Sequence, residues 1–347
     1  MRMKPARLHP GDTVATITLS WGGAGTFPHR YQAGKQQLEA AFGVKVIETR
    51  HALRDENWIA ANPRARADDL MEAFADPTIK GIISIIGGDD SIRTLPYLDP
   101  QIIRENPKIF MGYSDTTVTH LACWKAGLNS IYGPSILAGF GENGGLFPYL
   151  TDSVKRTVFS AEPIGQIQPN NQGWTVERLE WADPHNQSIK RALNPNPGWR
   201  WLGGSGVRRG RLLGGCLEVL DWLRGTDFWP PLSDWQDSIL FIETSEEAPP
   251  PQYVERMLRI LGVMGILERV AGLLVGRPGG AAPIEQFAAY DAAIEQVVRT
   301  ELELKDLPII TQMDFGHTDP SFLLPYGTLA EIDPMEQRFS IIEAAVL

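Results

Sequence analysis

Strand-like and helix-like stretches alternate through the first half of the chain, and this alternation limits the possible architectures more than any other feature. Residues 13–19 and 44–48 read as strands, and the apolar run 81–86 as a buried one. Residues 31–42 and 63–74 read as helices, the second with Ala, Leu, Met and Phe along one face. Repetition of strand, helix and strand predicts an open parallel sheet with helices on both faces. Ligands of such sheets bind beyond the carboxyl ends of the strands. The glycine-rich turn at 21–25 lacks both the G-x-G-x-x-G spacing and a P-loop lysine, so it reads as a plain strand-to-helix connection. From 163 to 201 periodicity is lost and Asn, Pro and Trp accumulate, which places a domain junction there. Beyond it come a glycine-rich stretch at 203–206, a strand-and-turn pattern at 210–216, a helix at 217–223 and strands at 238–242, 271–275 and 307–310. Helices at 252–261, stopping at Gly262, and at 284–299 separate these strands, and a hairpin of 328–332 with 338–342 closes the chain.

A chain of 347 residues that is 43% hydrophobic can bury a large core and divides more naturally into two domains than one. Its net charge of −10, with no basic cluster, argues against nucleic acid or an anionic membrane as partner. Cys123 and Cys216 are the only cysteines, which leaves no disulfide framework and no cysteine-rich metal site. The first ten residues are basic and contain prolines without an apolar segment, and no run reaches membrane-spanning length. A cytoplasmic protein is the expectation.

Chemistry collects where the buried strands end. The run Lys108-Ile109-Phe110-Met111-Gly112-Tyr113 leads into Ser114, with a helical stretch after it. A tight strand-to-helix turn lifts a hydroxyl out of the backbone and frees the following N–H for an oxyanion. Gly112 fits the steric demand of such an elbow, whereas Thr116 stands where the commonest form has a second glycine. The competing reading of Ser114 is a helix cap. The strand 81–86 ends in Gly87-Gly88-Asp89-Asp90, so the amides of Gly88 and Asp115 can face each other as an oxyanion hole, or the glycines can serve the turn alone. Asp89 and Asp90 read as solvated turn residues rather than metal ligands. The strand 238–242 delivers Glu243, a carboxylate suited to orient a histidine, and Glu246 and Glu247 behind it read as a solvated or capping acidic turn. Of the six histidines, His120 lies on the helix after Ser114, where packing is expected, and His317 lies in a glycine-bearing turn after the strand 307–310. Cys216, beside glycines, reads as a small buried cysteine. Trp174, Trp181, Trp199 and Trp201 can either stack on a planar group such as a nucleobase or pin a long loop to the body.

Taken in order, four segments resemble the LD-carboxypeptidase family of serine peptidases. They are Ile86-Gly87-Gly88 with Leu95-Pro96-Tyr97-Leu98-Asp99, Gly112-Tyr113-Ser114-Asp115, Leu240-Phe241-Ile242-Glu243, and the run from Asp314 through Gly316-His317-Thr318-Asp319-Pro320 to Leu324-Pro325-Tyr326-Gly327. The form Phe315-Gly316-His317-Thr318-Asp319-Pro320 and the tryptophan-bearing segment are more similar to the microcin C immunity branch than to the murein-recycling branch. The resemblance implies an N-terminal Rossmann-like domain, of the class I glutamine amidotransferase type, and a C-terminal β-rich swivelling α/β domain. It further implies a triad of Ser114, Glu243 and His317, a homodimer, and neither metal nor cofactor. We set the units at 1–165, 166–202 and 203–347. Cys216 replaces the asparagine that the immunity branch would have after the paired glycines.

The roles that follow are His317 as base for Ser114, Glu243 holding its tautomer, and the Gly88 and Asp115 amides binding the oxyanion of an amide hydrolysis. The substrate is a small peptide or an aminoacyl-nucleotide. A murein peptide needs a cation for its terminal carboxylate, for which Arg93 is the candidate, and a nucleotide needs an aromatic platform. An esterase and a catalytically idle ligand-binding protein are the readings from other classes. Against the esterase stand Thr116 and the lack of an HGGG-type segment.

Overall fold

A computed structural model describes residues 2–280 and 282–347. The first sheet takes β1 (Thr13–Ile17), β2 (Lys45–Glu48), β3 (Ile79–Ser84), β4 (Ile109–Gly112) and β5 (Ile131–Tyr132), all parallel to their neighbours in the order β5-β4-β3-β1-β2. Every residue of β4 is buried. Successive side chains of a strand point to opposite faces, so this sheet is covered on both sides, as the unbroken apolar run predicts.

The second sheet is mixed. Its strands are β6 (Gly165–Ile167), β7 (Arg200–Trp201), β8 (Arg208–Cys216), β9 (Ser238–Glu243), β10 (Gly272–Gly276) and β11 (Ile309–Met313), with β13 (Leu329–Asp333) and β14 (Arg338–Ile341). The run β8-β9-β10-β11 is parallel, while β13, β14, β6 and β7 add antiparallel strands at its two ends. The aperiodic segment therefore leaves from one edge of this sheet, at β6, and returns at the other, at β7. Between β11 and β13, β12 (Leu324–Pro325) crosses back to pair antiparallel with β5 of the first sheet.

Two helices differ from their expected form. The helix expected to stop at Gly262 runs over Pro251–Val263, because Gly262 lies inside it against Leu302; the left-handed turn comes at Gly265. The stretch expected as one helix from 284 to 299 is a 3₁₀ turn, an α-helix over Phe287–Glu295 and a π-helical turn over Gln296–Glu301.

The helix Thr117–Ala126 is buried at every position except Lys125. A helix with so little polar surface belongs inside the protein, and this one meets both halves of the chain. Trp124 donates from Nε1 to Asp234 Oδ2 at 2.7 Å, and Thr117 Oγ1 accepts from the Cys216 amide at 3.2 Å. The carboxyl ends of β3, β4, β8, β9 and β11 open onto one crevice of about 470 Å³, lined among others by Gly88, Ser114, Cys216 and His317. Among the described residues no helix is long and apolar enough to cross a membrane.

Candidate active site

Ser114 stands two residues beyond the end of β4 with φ of +62°, the left-handed region that non-glycine residues seldom occupy. A 3₁₀ turn over Ser114–Thr116 then feeds the helix Thr117–Ala126. Gly112 is required two positions upstream: a Cβ there would lie 2.8 Å from Thr116 Oγ1 and 2.9 Å from Ser84 Cβ. Thr116 fits where glycine is commoner because its hydroxyl donates to Tyr113 O at 2.8 Å and so closes the turn. Thr117 does the same for Ser114 O at 2.8 Å. The serine is thus held in a strained elbow rather than in a helix cap.

Glu243, at the end of β9, and His317, four residues past β11, meet with their side chains buried, His317 Nδ1 donating to Glu243 Oε2 at 2.6 Å. That bond places the neutral ring's lone pair on Nε2. Burial alone would push His317 down, but the Glu243 carboxylate, helped by Glu246, overrides it and holds the imidazole well above its usual range. Glu246 and Glu247 lie in an exposed turn, as read, but Glu246 also reaches the histidine. Its Oε2 lies 3.1 Å from His317 Nε2, and that hydrogen bond, ahead of the opposing burial, pulls its carboxyl down to about 2. The loop is held by Ser245, whose N–H and Oγ both donate to Glu218 Oε1, at 2.9 and 2.7 Å.

The Gly87-Gly88 turn abuts the elbow. A Cβ on Gly87 would sit 3.1 Å from Ser114 Oγ and 3.4 Å from the Asp115 amide nitrogen, and Gly88 has φ of +139°. The Asp115 side chain fastens the two turns together: Oδ2 accepts from Ser91 N, and the Asp115 carbonyl accepts from Ser91 Oγ, both at 2.9 Å. Its carboxyl is pushed up by burial.

His120 is a packed histidine. Its Nε2 donates to Gly112 O at 2.9 Å, Nδ1 accepts from Ser130 Oγ at 2.8 Å, and burial pushes it down to about 3. The Cys216 thiol lines the crevice, donates to Glu218 Oε2 at 3.4 Å, and is pushed well up by burial and by Glu243, so it stays protonated.

Of the four loop tryptophans only Trp181 lines the crevice. Its ring meets Phe27 edge-on at 5.9 Å, with the buried Arg30 guanidinium 4.2 Å and the exposed Arg178 guanidinium 5.1 Å from the ring centre. The other three are anchors, a correction to their candidacy. Trp174 is 3% exposed and donates to Pro195 O, Trp199 donates from Nε1 to Asp314 Oδ2 at 2.8 Å, and Trp201 lies in β7, paired with Ile310. Arg93 is likewise removed from the site. It is spent on Ala60 O at 2.8 Å and Asp90 Oδ1 at 3.1 Å, outside the crevice lining. The crevice cations are instead Arg30, Arg178 and Arg191. Arg191 is clamped by Glu142 and, at 2.8 Å, by Asp319. Nothing in the sequence marks these arginines, because their place depends on where an irregular loop crosses the body.

Residues 14–133 match the LD-carboxypeptidase N-terminal domain, and residues 209–332 match the LD-carboxypeptidase C-terminal domain. The microcin C7 self-immunity protein MccF of Escherichia coli is 28% identical over 97% of this chain and 95% of its own. A solved structure of MccF with aspartyl sulfamoyl adenosine aligns at a TM-score of 0.86 with 28% identity, covering 99% of this chain and 100% of that one. An MccF-like protein of Streptococcus pneumoniae, solved with AMP, aligns at a TM-score of 0.86 with 33% identity over 96% of this chain and 99% of the other. The murein tetrapeptide carboxypeptidase of Pseudomonas aeruginosa is 26% identical over 96% of this chain and 94% of its own. With both domains matched in order and these relatives spanning nearly its whole length, the chain belongs to the LD-carboxypeptidase family of serine peptidases.

Proposed function

We propose that this serine peptidase hydrolyses the amide bond of an aminoacyl-nucleotide through an acyl-enzyme on Ser114. The observation that carries the reading is a single crevice lined by the strained Ser114 elbow, by His317 with Glu243 bonded behind it, and by the Trp181 ring. His317, once neutral, takes the Ser114 proton through Nε2 as Oγ attacks the carbonyl, and later returns it to the leaving amine. Glu243 fixes the tautomer and stabilises the imidazolium. The Gly88 and Asp115 amides receive the oxyanion, supported by the close approach of the Gly87-Gly88 turn to Ser114 and to the Asp115 nitrogen. For this chemistry Glu246 has to leave His317 Nε2 to the serine.

The substrate side rests on Trp181, a ring at the crevice wall backed by the buried Arg30, where an adenine would find a stacking partner worth roughly 1–3 kcal/mol. The solved relatives with AMP and with an aminoacyl sulfamoyl adenosine support the same class. In this reading residues 1–165 carry the nucleophile, 203–347 its acid and base, and 166–202 the ring. The enzyme then works as a cytoplasmic homodimer, which gel filtration and cell fractionation test. The deciding experiment offers an aminoacyl sulfamoyl adenosine and a murein tetrapeptide to one preparation. Hydrolysis of the first, abolished in Ser114→Ala, is expected; cleavage of the tetrapeptide alone moves the enzyme to cell-wall recycling. Labelling of Ser114 by a fluorophosphonate, absent in Ser114→Ala, separates a hydrolase from an idle binding protein.

A further inference from the structure

We propose that Tyr132 is a positioning residue for the hydrolysis, its phenol joining the backbone of the nucleophile to the carboxylate that orients the base. Tyr132 ends β5 in the first sheet and Glu243 ends β9 in the second. The Ser114 amide lies 3.0 Å from the phenolic oxygen, and that oxygen lies 2.5 Å from Glu243 Oε1. The direction of both bonds is forced. An amide N–H can only donate and a carboxylate can only accept, so the phenol's one proton points at Glu243 while its lone pair takes the Ser114 N–H. Glu243 therefore has one oxygen on Tyr132 and the other on His317 Nδ1. The three residues of the proposed triad are linked through this phenol without a water.

The phenol is 1% exposed, and burial first, then the neighbouring carboxylate, pushes it well above the usual tyrosine range, so it remains a donor at all working pH values. Packing against Phe241 of the second half, at 5.5 Å, and Tyr326, at 6.3 Å, leaves the ring little freedom. Two consequences follow. The donated proton drains charge from Glu243, which tempers its hold on the His317 proton and sets where the base titrates. The accepted amide pins Ser114 in its left-handed elbow and uses that N–H, so the oxyanion falls to the next amide, that of Asp115. Around His317 the groups that bear on its titration are Glu243 on β9, Glu246 on the loop after it, Tyr113 at 4.9 Å beside the elbow, and Ser114 and Asp319 in the same crevice. Of these, Tyr132 meets Glu243 through its hydroxyl, Ser114 through the backbone amide and Tyr113 edge-on at 6.4 Å, and Glu243 is the one carboxylate it bonds.

The inference rests on the triad reading, and the test separates the two. Profiles of kcat/KM against pH are measured for the full-length enzyme, Tyr132→Phe, Ser114→Ala and a variant with a ring-fluorinated tyrosine at 132 introduced by nonsense suppression. Without the donor, Glu243 binds the His317 proton more firmly. Tyr132→Phe should then move the basic limb up by about one pH unit and lower kcat about tenfold or more, the scale of one hydrogen bond to a charged group, with KM within about twofold. The fluorinated phenol, a stronger donor of nearly the same shape, should move the limb down. In a Glu243→Gln background Tyr132→Phe should add little further loss, because the charged acceptor is gone. A purely structural role would lower stability and leave the limb in place. Unchanged limbs in both Tyr132 variants, or shifts of the same sign, overturn the proposal even where Ser114→Ala is inactive. Should Tyr132→Phe not fold, the fluorinated variant alone decides by the sign of its shift. Activity retained in Ser114→Ala would instead overturn the triad reading.

Discussion

Glu246→Gln should make the enzyme more active below the basic limb of its pH profile, and the structure sets the size of the gain. A base must be unprotonated to accept the serine proton, so activity rises with pH through the His317 pKa in the free enzyme. In the resting geometry that pKa is raised because Glu243 and Glu246 both stabilise the imidazolium. Removing the second carboxylate lowers it. At about 3 Å an unscreened pair would be worth on the order of 5 kcal/mol at an effective dielectric of 20. The Glu246 side chain, however, is 63% exposed, and solvent-exposed ion pairs measure roughly 0.2–1 kcal/mol. A partner as buried as His317 lifts the value toward the upper end of that measured range, which is about 0.7 pH unit. One unit below the wild-type limb, the unprotonated fraction then rises from about a tenth to about a third, a gain of about fourfold in kcat/KM. The assay is kcat/KM from pH 5.5 to 10 on the preferred amide substrate, with Glu247→Gln as the neighbouring control. A Glu246→Gln profile that superimposes on wild type, or a limb that moves up, refutes the reasoning. A uniform fall in kcat/KM with the limb in place would assign Glu246 to substrate binding instead.

Trp181→Ala should lower kcat/KM on an aminoacyl sulfamoyl adenosine about tenfold or more and leave a tetrapeptide nearly unaffected. Trp174→Ala, Trp199→Ala and Trp201→Ala should cost stability without changing that ratio, and a selective effect from any of them would return it to the site. Gly88→Ala combines a φ of +139° with a Cβ 2.4 Å from Ser20 Oγ, so kcat should fall about 10²–10³-fold with KM little changed; a loss under about threefold would remove Gly88 from the oxyanion hole. Asp314→Ala strands the Arg277 guanidinium, whose side chain is 2% exposed, and should cost about 3–5 kcal/mol in urea unfolding, whereas a loss near zero would mean the pair is dispensable.

Much of this molecule is readable from residue order alone, because short-range rules govern it. Periodicity and apolar runs give β1 to β4 and the helices at 31–42 and 63–74, and a buried strand running through Gly112-Tyr113 puts Ser114 on a turn whatever lies around it. Glu243 and His317 are readable for the same reason: each closes or follows an apolar run, and parallel sheets present such ends on one side. Composition cannot say which tryptophan faces a ligand. Trp174, Trp199 and Trp201 differ from Trp181 only in where an aperiodic loop comes to rest between the two edges of the second sheet. Arg93 fails on the same ground, since its partner Asp90 is close in sequence and claims it first. Glu246 and Tyr132 needed the tertiary fold most. Their roles lie in bonds of 3.1 Å to His317 and 2.5 Å to Glu243, spanning 71 and 111 residues of chain. Local patterns fix backbone conformation over a few residues. Hydrogen bonds between sites so far apart exist only after two sheets have packed around the helix Thr117–Ala126, and only then does the Tyr132 phenol come within a bond of both Ser114 and Glu243.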